Sequence, residues 1–158
     1  MIQTNSKIIT GQESTVDVSS SLGVLSEFYK AFNSYDYELM ASNWLNSGDA
    51  SMSNPLGDIK RGWTQIKKVY EIIFSGPAKV YVEFYDYKIF SGENFFQAVG
   101  REQGHLRIAN DIIDLRIRTS RTFIINGGRY KQLHHHGSIE DPELLASYQT
   151  ALCKAKVI

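Results

Sequence analysis

The period of the apolar positions changes halfway along the chain. Between Val16 and Asn33, Leu22, Leu25, Phe28, Tyr29 and Phe32 recur at intervals of three and four, the spacing of an amphipathic helix. "NSYD" interrupts this stripe. Asp36 can cap a second helix, with Leu39, Met40, Asn43 and Trp44 along one side and Gly48 as its C-terminal stop. "SMSNPLGDIKRG" is short and irregular, with turn chemistry at Asn54-Pro55 and Gly57-Asp58. A third helix is predicted over Trp63–Phe74, where Ile66, Val69, Tyr70 and Ile73 are helically spaced, and "SGP" ends it.

Beyond Pro77 the pattern alternates, and the residues are β-branched and aromatic. "KVYVEFYDYKIF" reads as a strand and "SGEN" as a hairpin turn. "FFQAVGREQGHLRI" follows as a second strand, with Gly100 and Gly104 as candidate bulges. "IIDLRIRTSRTFII" is a long third strand, "NGG" a hairpin turn and "RYKQLHHHGS" a fourth strand. Pro142 precedes a helical tail. Helices first and four consecutive antiparallel strands afterwards make an α+β fold: a curved antiparallel sheet with helices on one face. Residues 1–15 are expected to form a flexible N-terminal segment and 16–158 a single domain.

Composition narrows the function classes. Lys plus Arg equals 17 and Asp plus Glu equals 17, and this zero balance argues against bulk electrostatic binding of nucleic acid or an acidic membrane. No stretch reaches membrane-spanning length and the N-terminus has no long apolar region, so a cytoplasmic location is the default. The lone Cys153 rules out an intrachain disulfide, and it reads as a partly buried apolar residue rather than a nucleophile.

Two features carry candidate chemistry. The first is His134-His135-His136, which is internal and so not a purification tag. Strict strand alternation groups His134 and His136 with Tyr130, Gln132 and Ser138, and turns His135 the other way with Lys131 and Leu133. Two same-face histidines under-determine a zinc shell, and no C-x-x-C or H-E-x-x-H accompanies them. Packing on a half-polar face and a pocket role as hydrogen-bonding or proton-transfer groups both stay open. The second is Arg121, which shares strand parity with Leu115, Ile117, Thr119, Phe123 and Ile125. A charge in an apolar row needs a partner. It is either paired with a carboxylate such as Glu102 or Asp114, or free to clamp a ligand carboxylate through its bidentate fork. Arg101 adds a second cation if no bulge shifts its face. Trp44 and Trp63 default to core packing, and the row Tyr81, Phe84, Tyr85, Tyr87 and Phe90 to sheet packing or an interface.

The stretches "FYKAFNSYDYELMASNWL", "GDIKRGWTQI" and "RTFIINGGRYKQLHHHGS" together resemble the nuclear transport factor 2-like superfamily. The similar branches are the SnoaL-like and ketosteroid-isomerase-like proteins and the association domain of calcium/calmodulin-dependent protein kinase. The resemblance covers about Val16 to Ser138. It implies a cystatin-like cone whose sheet wraps around the N-terminal helices, an apolar pocket with a few polar groups, and a homodimer formed through the outer sheet face. Steroid isomerases place a carboxylate base before a Pro-x-Gly segment, a tyrosine on the first helix and a protonated acid on a later strand. Those positions fall here on Asn54, on Phe28 with Tyr29 adjacent, and near Ser120 and Arg121, so that isomerase chemistry is not expected. The resemblance implies a binding protein for a small apolar or carboxylate-bearing molecule. Arg121, His134, His136, Arg101 and Tyr130 would line the pocket, with Asn54 and Trp44 nearer its mouth, and without metal or organic cofactor. An isomerase, cyclase or dehydratase using His134 or His136 as acid or base, and an oligomerisation module, are the alternatives.

Overall fold

A serine sets where the first helix begins. The Ser20 hydroxyl accepts from the Gly23 amide at 3.1 Å and so satisfies one of the amides orphaned at a helix start. The residues before it are held in a turn, with Ser20 N–H donating to Asp17 O at 2.9 Å. Helix α1 therefore spans Ser21–Ser34 and not the longer stretch read from the apolar period. The structure, a computed structural model, describes residues 1–5, 7–14 and 17–155; Val16, the expected helix start, lies outside the described residues. Helix α1 ends at Tyr35, which adopts a left-handed conformation (φ 56°) and donates back to Ala31 and Phe32.

The Asp36 carboxylate then caps α2, Tyr37–Asn43, accepting from Leu39 N–H at 2.9 Å. This helix stops well before Gly48. Trp44 leaves it in an extended conformation and bridges to Gln132, so a tertiary contact ends the helix before the glycine is reached. Helix α3 covers Trp63–Ser75 and helix α4 Pro142–Lys154, the latter capped by Asp141.

The long strands lie where alternation placed them: β4 at Lys79–Ser91, β5 at Phe95–Ile108, β6 at Asp111–Asn126 and β7 at Arg129–Ser138. Between β6 and β7, Gly127 (φ 62°) and Gly128 (φ 79°) supply the two left-handed positions that a two-residue hairpin turn requires. Three short strands were not legible. Residues Ile2–Asn5 of the segment expected to be flexible form β1, antiparallel to β4. The stretch read as irregular folds into a hairpin of β2, Ser51–Ser53, and β3, Ile59–Arg61. Strand β2 then pairs with β7 in parallel, giving a seven-stranded sheet ordered β1-β4-β5-β6-β7-β2-β3.

Two bulges set which side chains face inward. On β4, Asp86 and Tyr87 together oppose Gly100, because Tyr85 pairs with Arg101 and Lys88 with Val99. The extra residue thus sits opposite Gly100 and not on it. Glycine is needed there because a Cβ would lie 2.5 Å from Tyr87 Cβ. No register shift occurs at Gly104, where a Cβ would lie 1.9 Å from the Tyr81 carbonyl oxygen. On β7, Thr122 pairs with His134 while Phe123 pairs with Gln132, which makes Leu133 the extra residue.

The core fills the concave side. Leu25, Phe28 and Tyr29 of α1 are buried against it. Tyr29 stacks on Phe84 at 5.7 Å, Phe84 on Tyr87 at 4.8 Å, and Phe96 on Phe123 at 4.8 Å. Helix α4 packs Tyr148 and Leu152 against the core, and Gln149 Nε2 donates to Pro55 O at 3.3 Å. Among the described residues no helix is long and apolar enough to cross a membrane.

Candidate functional site

The bulge at Leu133 decides which histidine meets the interior. Directly paired residues of an antiparallel ladder share a face, and Arg121 pairs with His135, with Phe123 beside Gln132. Beyond the bulge the parity is therefore inverted relative to a simple count. His135 and Gln132 are buried on the inner side with Arg121. His134 and His136 pair with Thr122 and Ser120 on the outer side, and His136 is exposed. The expected grouping of His134 and His136 with Arg121 is corrected by this single inserted residue.

Arg121 is 2% exposed, and each of its three guanidinium nitrogens donates a hydrogen bond. Its Nη2 donates to Glu102 Oε1 at 2.8 Å, its Nη1 to Gln132 Oε1 at 2.9 Å and its Nε to the Tyr29 hydroxyl at 3.3 Å. The Tyr29 hydroxyl in turn donates to Glu102 Oε1 at 2.6 Å. The guanidinium carbon stands 3.6 Å from the Phe28 ring centroid, a cation–π contact. Burial opposes the arginine charge, but the Tyr29 and Glu102 oxygens outweigh it and hold the group protonated. Burial also drives the Tyr29 phenol well above its ordinary value. Of the two readings of Arg121, the ion pair with Glu102 is the one present; Asp114 lies exposed on the other face.

His135 is the opposite case. Among the described residues neither ring nitrogen has a hydrogen-bond partner. Burial, then the positive charge of Arg121, holds its pKa well below the ordinary histidine range, so the ring is neutral. The ring lies along the strand over Gly137, where an added Cβ would come within 3.3 Å of Nε2.

These groups close one end of an interior cavity of about 90 Å³. Phe28, Val80, Leu115 and Ile117 form apolar walls; Glu102, Arg121 and His135 form the polar end. The Asn54–Leu56 turn lines the cavity as well, together with Tyr148 and Leu152 of α4. Burial, with Glu102 adding to it, pushes the Tyr148 hydroxyl up to about 12. Asn54 itself accepts from Leu56 N–H at 3.0 Å, the local bond that shapes this turn.

The other candidate residues lie elsewhere. Trp44 is wholly buried in the core, donating through Nε1 to the Tyr70 hydroxyl at 3.2 Å, and it does not line the cavity. Tyr130 packs edge-on against Phe96 at 4.8 Å. Arg101 faces outward, 3.6 Å from Asp86 and 3.5 Å from Glu140. His134 Nδ1 lies 2.8 Å from Ser51 Oγ, a link between β7 and β2. Thus Arg121 and Asn54 line the cavity and Trp44, Arg101, Tyr130, His134 and His136 do not; His135, which lines it, and Gln132 and Tyr29, which hold Arg121, were not among the expected residues. Tyr29 and Glu102 carried a weak signal, a polar group within each apolar periodic stripe.

A bent sheet closed over a helix, with a buried polar end, defines the nuclear transport factor 2-like superfamily of α+β cones. The SnoaL-like domain family matches residues 22–142, and the chain belongs to that family. Solved structures share the fold at low identity. A ketosteroid isomerase-like protein from Erwinia carotovora atroseptica is 12% identical, with 82% of this chain and 98% of that chain covered and a TM-score of 0.65. A protein with a cystatin-like fold from Caulobacter vibrioides is 19% identical, with 82% and 93% covered and a TM-score of 0.60. A nuclear transport factor 2-like superfamily protein from Salmonella enterica is 19% identical, with 73% and 84% covered and a TM-score of 0.63. No curated protein matched the sequence.

Proposed function

We propose that this chain is a binding protein for a small, mostly apolar molecule held in the interior cavity. The observation that carries the reading is His135: a buried imidazole, with no hydrogen-bond partner at either nitrogen among the described residues, on the wall of a mostly apolar cavity. Leaving a buried polar group unsatisfied costs about 1–3 kcal/mol, and a ligand that hydrogen-bonds the ring recovers part of it. The apolar Phe28, Leu115 and Ile117 walls favour an apolar body.

Binding is favoured over catalysis because the position suited to a carboxylate base holds Asn54, an amide engaged in its own turn. Arg121 and Glu102 are locked to each other. A lowered pKa makes His135 a weaker base, so proton transfer through it is the second reading. A homodimer through the convex face belongs to the same proposal, supported by the half-exposed Val99 and a shallow groove of about 800 Å³ beside it. A cytoplasmic setting is also proposed, in keeping with the single, exposed Cys153.

A thermal-shift screen of small apolar compounds tests the binding reading, with Ile117→Phe as the variant whose cavity is filled. Compounds that stabilise the parent and not the variant are expected. Stabilisation by none of them, or equally in both proteins, would sink it.

A further inference from the structure

The charges at the polar end of the cavity balance without a ligand. Arg121 brings one positive charge and Glu102 meets it at 2.8 Å with both side chains almost wholly buried. Gln132 and Tyr29 take two further guanidinium donors, so each of the three nitrogens that would grip a carboxylate already has a partner. A ligand carboxylate entering here would add a second negative charge beside Glu102, with no unpaired cation lining the cavity. A buried charge without a partner is strongly disfavoured. Of the buried side-chain atoms that have no hydrogen-bond partner among the described residues, those on the cavity wall are the His135 nitrogens, which in a neutral ring are one donor and one acceptor. Gly137 keeps side-chain bulk off that edge of the ring, since a Cβ there would lie 3.3 Å from Nε2.

We infer that the cavity selects an uncharged molecule, an alcohol or ketone oxygen on a compact apolar body, with that oxygen hydrogen-bonded to the imidazole of His135. The inference rests on the binding reading above and adds the ligand class to it. A carboxylate is excluded by Glu102 and not by lack of space. Arg121 therefore acts as the shield that keeps Glu102 engaged and away from the ligand, and not as a clamp. The volume of about 90 Å³ limits the apolar body to a few carbon atoms while Tyr148 and Leu152 stay in place; by comparison, an apolar cavity of about 150 Å³ holds benzene.

The test is a set of NMR titrations of the full chain with 1-butanol, 2-butanone and propionate at neutral pH, following the ring nitrogens of His135. The alcohol or the ketone is expected to shift those nitrogens and to bind at least tenfold more tightly than propionate. Whichever of the two shifts them more identifies the oxygen preferred. His135→Phe should weaken the uncharged probe by about tenfold or more, and Glu102→Gln should raise propionate affinity relative to butanol by at least the same factor. If Glu102→Gln does not fold, the comparison of probes on the parent chain decides alone. Propionate binding as tightly as the uncharged probes, with the His135 signals moving, overturns the ligand class and leaves the binding reading standing. Failure of every probe to move His135 overturns both.

Discussion

Replacing Glu102 by Gln tests whether Arg121 is held by charge or only by shape. The change keeps the side-chain size and leaves an oxygen to accept from Tyr29, but it removes the negative charge beside a guanidinium that is 2% exposed. Two unit charges about 4 Å apart at an effective dielectric of about 20 attract by about 4 kcal/mol. Removing one partner of a buried pair costs about 3–5 kcal/mol, because the other charge is left stranded. Glu102→Gln should therefore lose about 3–5 kcal/mol of folding stability. Arg121→Met should lose a similar amount, since it strands Glu102 and also deprives Gln132 of its donor. The double variant strands no charge, so its loss should fall short of the sum of the two by at least about 2 kcal/mol. Urea unfolding of the four proteins measures this, provided the slopes with denaturant agree. A loss below about 1 kcal/mol in Glu102→Gln, or two losses that simply add, would refute the buried-pair account.

Three further outcomes follow from particular contacts. Leu152→Ala removes a side chain only 3% exposed on the cavity wall and should cost about 2–5 kcal/mol; an unchanged urea midpoint would mean α4 does not pack on the core there. Gly104→Ala would push a methyl group onto the Tyr81 carbonyl oxygen, 1.9 Å away, and should cost more than about 2 kcal/mol, read as a lowered melting temperature. Because the folded state holds His135 neutral by burial, the unfolded chain binds a proton that the folded chain refuses, and stability should fall as pH drops below about 6.5, by at most about 1.4 kcal/mol per pH unit. His135→Phe should flatten part of that slope between pH 7 and 5 in urea unfolding; a residual belongs to His134, which burial also depresses. An unchanged slope would place the His135 ring in water.

The architecture follows from signals that are local in the chain. The helical spacing of Leu25, Phe28, Tyr29 and Phe32, the caps at Ser20 and Asp36, and the Asn126–Gly128 turn each act over a few residues. Alternation over twelve or more residues likewise marked β4, β5 and β6, because a half-buried sheet face imposes period two on any strand that lies in it. Strands β1, β2 and β3 have three or four residues each and too few alternations to register; β1 forms on the edge of β4, β2 on the edge of β7, and β3 as the hairpin partner of β2. The end of α2 was misplaced for the same reason: the bridge from Trp44 to Gln132 is long-range, whereas Gly48 is merely a local permission to stop.

What the sequence determined by itself was the order of elements, the fold class and the burial of Arg121 in an apolar row that demands a partner. What only the tertiary structure decided was the identity of the site. One residue inserted at Leu133 reverses the parity of everything after it on β7, turning His135 inward and His134 and His136 outward. Nothing in "QLHHH" announces that insertion, since Leu133 is neither glycine nor strained. It is set by how β7 must match β6 on one side and β2 on the other, and pairing between strands is a property of the assembled sheet.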